Sequence, residues 1–143
     1  MKKYEFTGET KSHLGKTLHQ IRAVVAIPGI IEKGNIGGWI EKEESLSHFG
    51  NAWVYGNALV YGNAQVYGDA RVSGNAQVYG NAQVYGDARV SGNAWVSGDA
   101  RVYGNADICS FSGFGSVYRQ TTAFIDSTIG IRINCGCFSG SLE

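Results

Sequence analysis

From Gly50 to Cys109 the chain repeats one six-residue unit ten times, Gly-[Asn/Asp]-Ala-x-[Val/Ile]-[Tyr/Ser/Cys], with no insertion or deletion. A strict six-residue period with one branched aliphatic residue per unit is the pattern of a parallel β-helix, in which every unit lays down one short strand. Ala and Val/Ile stand two apart and therefore point to one side of an extended chain. The residue between them and the one after point to the other side. Gly and Asn/Asp fall at the bend: glycine has no Cβ to obstruct a tight turn, and Asn and Asp are the other residues most tolerant of left-handed backbone angles.

Three such bends close a triangle, so residues eighteen apart stack about 4.8 Å from each other as parallel neighbours. The inner columns predicted in this way are Val54, Val72, Val90 and Ile108; Val60, Val78 and Val96; and Val66, Val84 and Val102. Each buried valine contributes roughly 1.5–3 kcal/mol, which together with coil-to-coil hydrogen bonds offsets the ordering cost of so much glycine. The expected fold is all-β, a single-stranded parallel β-helix of triangular section over residues 50–109. Residues 1–49 are expected to form an N-terminal cap with short strands, and 110–143 a C-terminal cap or oligomerisation segment.

The flanks lack the hexad. Tyr4 and Phe6 alternate with polar neighbours, as do Ile21, Ala23, Val25 and Ile27, which predicts two short strands, and Pro28-Gly29 marks a turn. The glycine-rich run 34–38 lacks dinucleotide-binding spacing and reads as a turn. Ile40 and Leu46 fall in the alanine phase of the hexad, and Lys42 and His48 in the valine phase, so this segment reads as a cap that approaches the coil register without joining it. Downstream, Ile129, Ile131, Ile133, Cys135 and Cys137 alternate with Gly130, Arg132, Asn134 and Gly136 as a half-buried strand, with Phe111, Phe114, Tyr118 and Phe124 as bulk beneath it. Closing both ends hides strand edges and disfavours filaments.

Twelve basic and twelve acidic side chains cancel to a net charge of zero, which argues against nucleic-acid and anionic-membrane partners. No apolar run is long enough to span a bilayer, and the start Met1-Lys2-Lys3-Tyr4-Glu5 lacks the apolar core of a secretion signal, so a cytoplasmic location is expected. Cys109, Cys135 and Cys137 are odd in number and lack zinc-site spacing. They read as reduced thiols with a packing role, and no metal site is expected.

The Ala-x-Val/Ile core followed by small or turn residues resembles the hexapeptide repeat of left-handed parallel β-helix proteins, and left-handedness is what that resemblance implies. The spacing alone also suits a right-handed triangular helix of the bactofilin-like, polymer-forming kind. The larger arrangement, with Gly37-Gly38-Trp39-Ile40-Glu41 before the array and Gly136-Cys137-Phe138-Ser139-Gly140 after it, is similar to phage and prophage proteins labelled polymer-forming or transferase-like.

Stacking the outward positions gives three different faces. The first carries Trp53, Arg71, Arg89 and Asp107 beside Tyr55, Ser73, Ser91 and Cys109, with Asp69 and Asp87 at the preceding corners able to balance the arginines. Arg71 and Arg89 are candidates for an anion or carboxylate contact. The second face, Leu59, Gln77 and Trp95 beside Tyr61, Tyr79 and Ser97, is the most apolar. The third, Gln65, Gln83 and Arg101 beside Tyr67, Tyr85 and Tyr103, holds a three-tyrosine ladder that can stabilise the sheet or form a flat recognition surface. Leu59, Tyr61, Tyr79, Trp95, Tyr67, Tyr85 and Tyr103 are therefore the candidate partner-binding residues. A homo-oligomer, with a trimer favoured, is expected through the second face.

Many proteins with this repeat are acyltransferases that use acetyl- or acyl-coenzyme A and a histidine base near a subunit boundary. Here no loop interrupts the ten hexads and no histidine lies within them; His13, His19 and His48 all precede the array. His48, next to the array, is the one candidate base. The expected function is a non-enzymatic binding or assembly module without cofactor, phage or prophage encoded, that presents aromatic faces to a protein partner and in one version inhibits a host factor. The alternatives are an acyl-coenzyme-A-dependent acyltransferase using His48 and a structural polymer-forming protein.

Overall fold

The computed structural model describes residues 1–104 with their side chains, and beyond them the strand backbones of 107–114, 119–126, 130–135 and 138–141. Strands β1 (Tyr4–His13), β2 (Lys16–Ala23) and β3 (Ile36–Ile40) precede the array. The hexads then form β4 (Trp53–Val54), β5 (Leu59–Val60), β6 (Gln65–Val66), β7 (Arg71–Val72), β8 (Gln77–Val78) and β9 (Gln83–Val84). They continue as β10 (Arg89–Val90), β11 (Trp95–Val96) and β12 (Arg101–Val102), followed by β13 (Asp107–Phe114), β14 (Arg119–Asp126), β15 (Gly130–Cys135) and β16 (Phe138–Ser141).

The protein is an all-β parallel solenoid with three sheets. Each hexad strand pairs in parallel with the strand eighteen residues on: Val54 with Val72, Val72 with Val90, Val90 with Ile108, Val60 with Val78, Val78 with Val96, Val66 with Val84, and Val84 with Val102. The three inner columns are those the period predicts. Every described array valine, and every array alanine up to Ala94, is buried, so the centre is a dry stack of methyl groups.

The strands are shorter than an Ala-x-Val reading implies, because only x and Val carry strand geometry. Alanine still takes part, since its carbonyl accepts the coil-to-coil bond, as Ala70 does from the Trp53 amide at 3.0 Å. The corners differ from expectation more sharply. Glycine alone takes positive φ there, +57° to +74° across the array, and no Asn or Asp does. The Asn/Asp column instead links successive coils through its side chains: Asn75 Nδ2 donates to Asn93 at 3.2 Å, Asn81 Nδ2 to Asp99 at 3.0 Å, and Asn51 Nδ2 to Asp69 at 2.8 Å. Short side chains repeated at the rung spacing can meet head to tail, and this, rather than left-handed tolerance, explains the residue choice.

The coil also begins earlier than the phase of the hexad implies. Ile40 pairs with Val60 and Leu46 with Val66, twenty residues on instead of eighteen, so both occupy valine columns and not the alanine phase. Two extra residues between Leu46 and Val54, a stretch that includes His48 and Phe49, shift the count. Of the glycine-rich run, only Gly34 lies in a turn, whereas Gly37 and Gly38 are strand residues of β3. A Cβ on Gly38 would stand 2.7 Å from Val54 Cγ1 and 2.8 Å from the Ala58 carbonyl oxygen, so glycine there lets β3 pack against the first coil.

The extensions attach as caps. β1 and β2 form an antiparallel hairpin through Leu14-Gly15, both at positive φ, and β2 pairs with β3, which extends the second-face sheet to the order β1-β2-β3-β5-β8-β11. Pro28-Gly29 is in the expected turn, between the bridge partners Ile27 and Ile31. At the other end β13 joins β10 in parallel and β14 to β16 then extend the first-face sheet as antiparallel strands. The expected alternating strand there overlaps β15; its side chains, those of Phe111, Phe114, Phe124 and Cys109, and the residues Tyr118 and Cys137 lie outside what is described.

Capping at the N-terminal end is chemical as well as steric. Successive coils bond through amides that donate onward, so the first coil on each face offers carbonyls with no coil before it. On the second face Ala58 and Val60 accept from the Trp39 and Glu41 amides, and on the third Val66 accepts from Ser47. On the first face no strand precedes β4, and the buried Lys3 ammonium donates to Ala52 O at 2.7 Å and Gly50 O at 3.4 Å instead. Burial lowers the Lys3 amine to about 8, with Asp69 partly opposing. Between pH 8 and the unfolded value near 10.5 the unfolded chain holds a proton that the native chain has released, so stability rises with pH over this window. Urea titrations are expected to show a gain of up to about 3 kcal/mol across it, absent in Lys3→Met; identical pH profiles would refute this account of the cap.

Candidate functional site

The outward residues of the coil are the candidate site, and the N-terminal extension decides which remain outward. On the first coil it covers them. Trp53 is fully buried, with Tyr4 edge-on at 6.3 Å, and its indole N–H has no acceptor among the described residues. Leu59 and Tyr61 are buried with Leu18 of β2, and His13 of β1 meets the Tyr61 ring at 5.3 Å. Lys16 of β2 fixes this hairpin by pairing with Glu41 at 2.8 Å, while the Glu41 carboxylate also accepts the Gly62 amide at 2.5 Å. Burial pushes the Glu41 carboxyl up, but Lys16 and that amide outweigh it and hold it below the ordinary value.

The expectation of an exposed second face is thereby corrected. Two of its four leading residues, Leu59 and Tyr61, face the chain's own hairpin. Tyr79 stacks on Tyr61 at 5.1 Å and is half-buried, and only Trp95, 44% exposed, stands clear. On its first coil the second face is an intramolecular contact.

The third face keeps its outward character. Tyr67 and Tyr85 stack at 4.9 Å with planes 2° apart, and Tyr85 and Tyr103 at 5.3 Å and 12°. Tyr67 and Tyr85 are half-buried and Tyr103 is 54% exposed. Beside it, Gln65 and Arg101 are exposed and Gln83 is half-buried. This sheet, in the order β12-β9-β6, has neither the hairpin nor the C-terminal strands on it. Among the described residues the ladder is therefore a regular aromatic column, at rung spacing, with amide and guanidinium groups along its side.

On the first face Arg71 and Arg89 are adjacent in register, as the period predicts. They share a cleft of about 240 Å³ with Ile30, Asn51, Asp69 and Asp87. The expected compensation by the corner aspartates is indirect, because no described carboxylate lies within ion-pair distance of either guanidinium. Tyr55, next to the cleft, donates from its hydroxyl to Ile30 O at 3.4 Å; burial lifts its phenol and the charge of Arg71 partly offsets this.

His48 sits in the two-residue insertion, stacked on Tyr4 at 4.3 Å. Its Nδ1 accepts the Lys3 amide at 3.1 Å, which leaves the proton of the neutral ring on Nε2. Burial lowers its basicity, Glu43 opposes, and Lys2 and Lys3 reinforce the lowering. A ring whose free lone pair is already bonded to backbone is poorly placed to take a proton from an acceptor. Tyr4, whose phenol is lifted by burial, shares its hydroxyl proton between Glu43 O and Leu46 O, so the pair reads as a clamp on the cap. Sequence reasoning missed the roles of Lys3 and Tyr4, which depend on carbonyls 39 to 49 residues away.

No described helix is long and apolar enough to cross a membrane, and no described group of His, Cys, Asp and Glu is placed to hold a metal. The class that this architecture defines is the β-solenoid. The model of the YdcK Beta solenoid repeat family matches residues 52–67, 64–80 and 82–98, so the coil is related to YdcK-like solenoid repeats. No curated protein matches the chain.

Proposed function

We propose that the protein is a non-enzymatic binding and assembly module that works through its third face, with Tyr67, Tyr85 and Tyr103 as the contact ladder and Gln65, Gln83 and Arg101 as its polar margin. The observation that supports this reading is the difference between two aromatic faces: the hairpin buries Leu59 and Tyr61, while no residue of the tyrosine ladder is buried, Tyr67 and Tyr85 being half-buried and Tyr103 exposed. Flat, rigid tyrosines lose little side-chain entropy on contact and offer both apolar area and a hydroxyl, which suits a protein surface.

The nearest occupant is a second and third copy of this chain, forming a homotrimer that joins third faces. Phage or prophage provenance, and inhibition of a host factor by the assembled surface, belong to the same proposal and rest on the resemblance of the segments flanking the array. Light scattering is the direct test. Wild type is expected near three times 15.3 kDa and Tyr85→Arg near 15.3 kDa, the variant unfolding at lower urea because it loses both the subunit contacts and the stacking on Tyr67 and Tyr103. A monomeric wild type, or a Tyr85→Arg variant of unchanged mass, would overturn assembly through this face.

A further inference from the structure

The start of the chain is fastened to the first coil around one imidazole. His48 Nδ1 accepts the Lys3 amide at 3.1 Å, and the ring stacks on Tyr4 at 4.3 Å. The remaining contacts of Lys3 and Tyr4 lie beside these two. Lys3 sets its ammonium on the Gly50 and Ala52 carbonyls, and its own carbonyl accepts the Val24 amide at 3.0 Å. Tyr4 lies edge-on to the buried Trp53 while its hydroxyl meets the Glu43 and Leu46 carbonyls. An imidazole accepts through Nδ1 only while neutral. Once protonated, both of its nitrogens are donors, and an Nδ1–H would face the Lys3 N–H.

The surrounding charges on balance resist that proton. Lys2, Lys3 and the terminal ammonium act on the ring from the segment leading into β1, and Glu43 acts from the turn at residues 43–45, its carboxylate 4.0 Å from Nε2. Glu43 also pairs with Lys2 at 2.6 Å, a bond that holds its carboxyl below the ordinary value, so it stays ionised while a histidine titrates. Asp69 acts on Lys3 and Glu44 on Tyr4. Lys3, lowered to about 8, keeps its charge below neutral pH. The ring lines a cleft of about 240 Å³ whose residues from the 25–28 segment are uncharged, so water reaches it without meeting a further acid there.

We infer that His48 is an acid-operated latch on the N-terminal cap: neutral, it seats residues 1–4 on the first coil, and protonated it releases them, uncovering Trp53 and the carbonyls of Gly50 and Ala52. Burial lowers the ring's basicity below the ordinary 6.5; Glu43 opposes this, and Lys2 and Lys3 reinforce it. A released chain therefore takes up a proton that the seated chain refuses. The seated form loses ground as pH falls below 6.5, by at most about tenfold for each unit.

Amide hydrogen exchange of the intact chain between pH 7 and pH 5 tests this, expressed as protection so that the intrinsic pH dependence of exchange drops out. At pH 5 the Lys3 and Val24 amides and the Trp53 indole N–H should have lost at least about threefold and at most about thirtyfold of their protection, the ceiling following from 6.5. The Arg71 and Ser73 amides, bonded to Ala88 O and Val90 O of the next coil, should keep theirs. His48→Asn retains an acceptor close to where Nδ1 stood and cannot titrate, so its protection should be flat across the range. A wild-type loss below about threefold would overturn the latch. So would an equal loss in His48→Asn, which would assign the titration to His13 of β1 or His19 of β2. Nitrogen shifts of the wild-type His48 ring give a check that needs no variant: the Nε2–H tautomer is expected at pH 7, and the Nδ1–H tautomer would refute the proposal. No outcome involves Tyr67, Tyr85 or Tyr103, so the latch and the third-face reading stand or fall separately.

Discussion

Gly74→Ala is expected to cost about 2–5 kcal/mol of folding free energy, while Gly56→Ala, in the same corner column, costs about 1–2 kcal/mol. Both glycines are in the left-handed region, at φ +70° and +57°, so both substitutions carry the strain of a Cβ in that conformation. They differ in what the new methyl meets. At Gly74 it would stand 2.9 Å from the Gly92 carbonyl oxygen, 3.0 Å from the Gly92 amide nitrogen and 3.2 Å from its Cα; at Gly56 the nearest atom is the Gly74 oxygen at 3.9 Å. Those close neighbours are backbone atoms of the next coil, so relief requires the coils to move apart at that corner, and the rung bond from Asn75 N to Gly92 O lies beside it. Urea unfolding of the two variants isolates the stacking contribution as their difference. Equal losses would mean that the corner is held by backbone angle alone and that coil spacing is softer than the structure implies.

This contrast also locates what the repeat makes legible. A period constrains contacts that recur, and the valine columns and the corner glycines recur every hexad. Val54 to Val72 to Val90 follows from counting because nothing interrupts the count. Ile40 and Leu46 do not follow, since two residues added between Leu46 and Val54 are invisible to a phase argument that has no anchor upstream of them. The hairpin turn at Leu14-Gly15 was equally opaque: leucine at φ +49° carries no turn signal, and only the tertiary placement of β1 against β2 requires it.

Exposure was the harder quantity. An outward position in a β-helix is outward from the coil, and whether it meets water depends on what else the chain lays over it. The letters held a clue. The first-coil outward residue Trp53 is apolar, whereas its successors Arg71 and Arg89 are charged, and the rung nearest the N-terminal segment is the one it covers. A column that turns apolar only at one end points to cover by the adjoining cap, and a partner surface is better sought where the outward residue type persists, as in Tyr67, Tyr85 and Tyr103.

Leu18→Ala tests that cover, and it is expected to remove about 2–5 kcal/mol, the range for truncating a fully buried leucine. Leu18 is 0% exposed and forms one cluster with Leu59 and Tyr61, flanked by Trp39 and Tyr79, separate from the valine stack inside the coil. The loss should therefore be local. Amide exchange in β1 and β2 should accelerate towards free-chain rates, while the valine columns of β7 to β10 keep their protection, because their hydrogen bonds run between coils and not to the hairpin. Loosening the hairpin also uncovers Leu59 and Tyr61 beside the already exposed Trp95, which assembles the apolar patch that the outward letters alone describe. Leu18→Ala should consequently form larger species with increasing concentration, in contrast to the smaller mass expected of Tyr85→Arg. If Leu18→Ala lost less than about 1 kcal/mol and left hairpin exchange unchanged, the hairpin would not be sealing the second face, and that face would return as the assembly surface. The two variants thus change mass in opposite directions if one aromatic face is covered by the chain itself and the other is left for a partner.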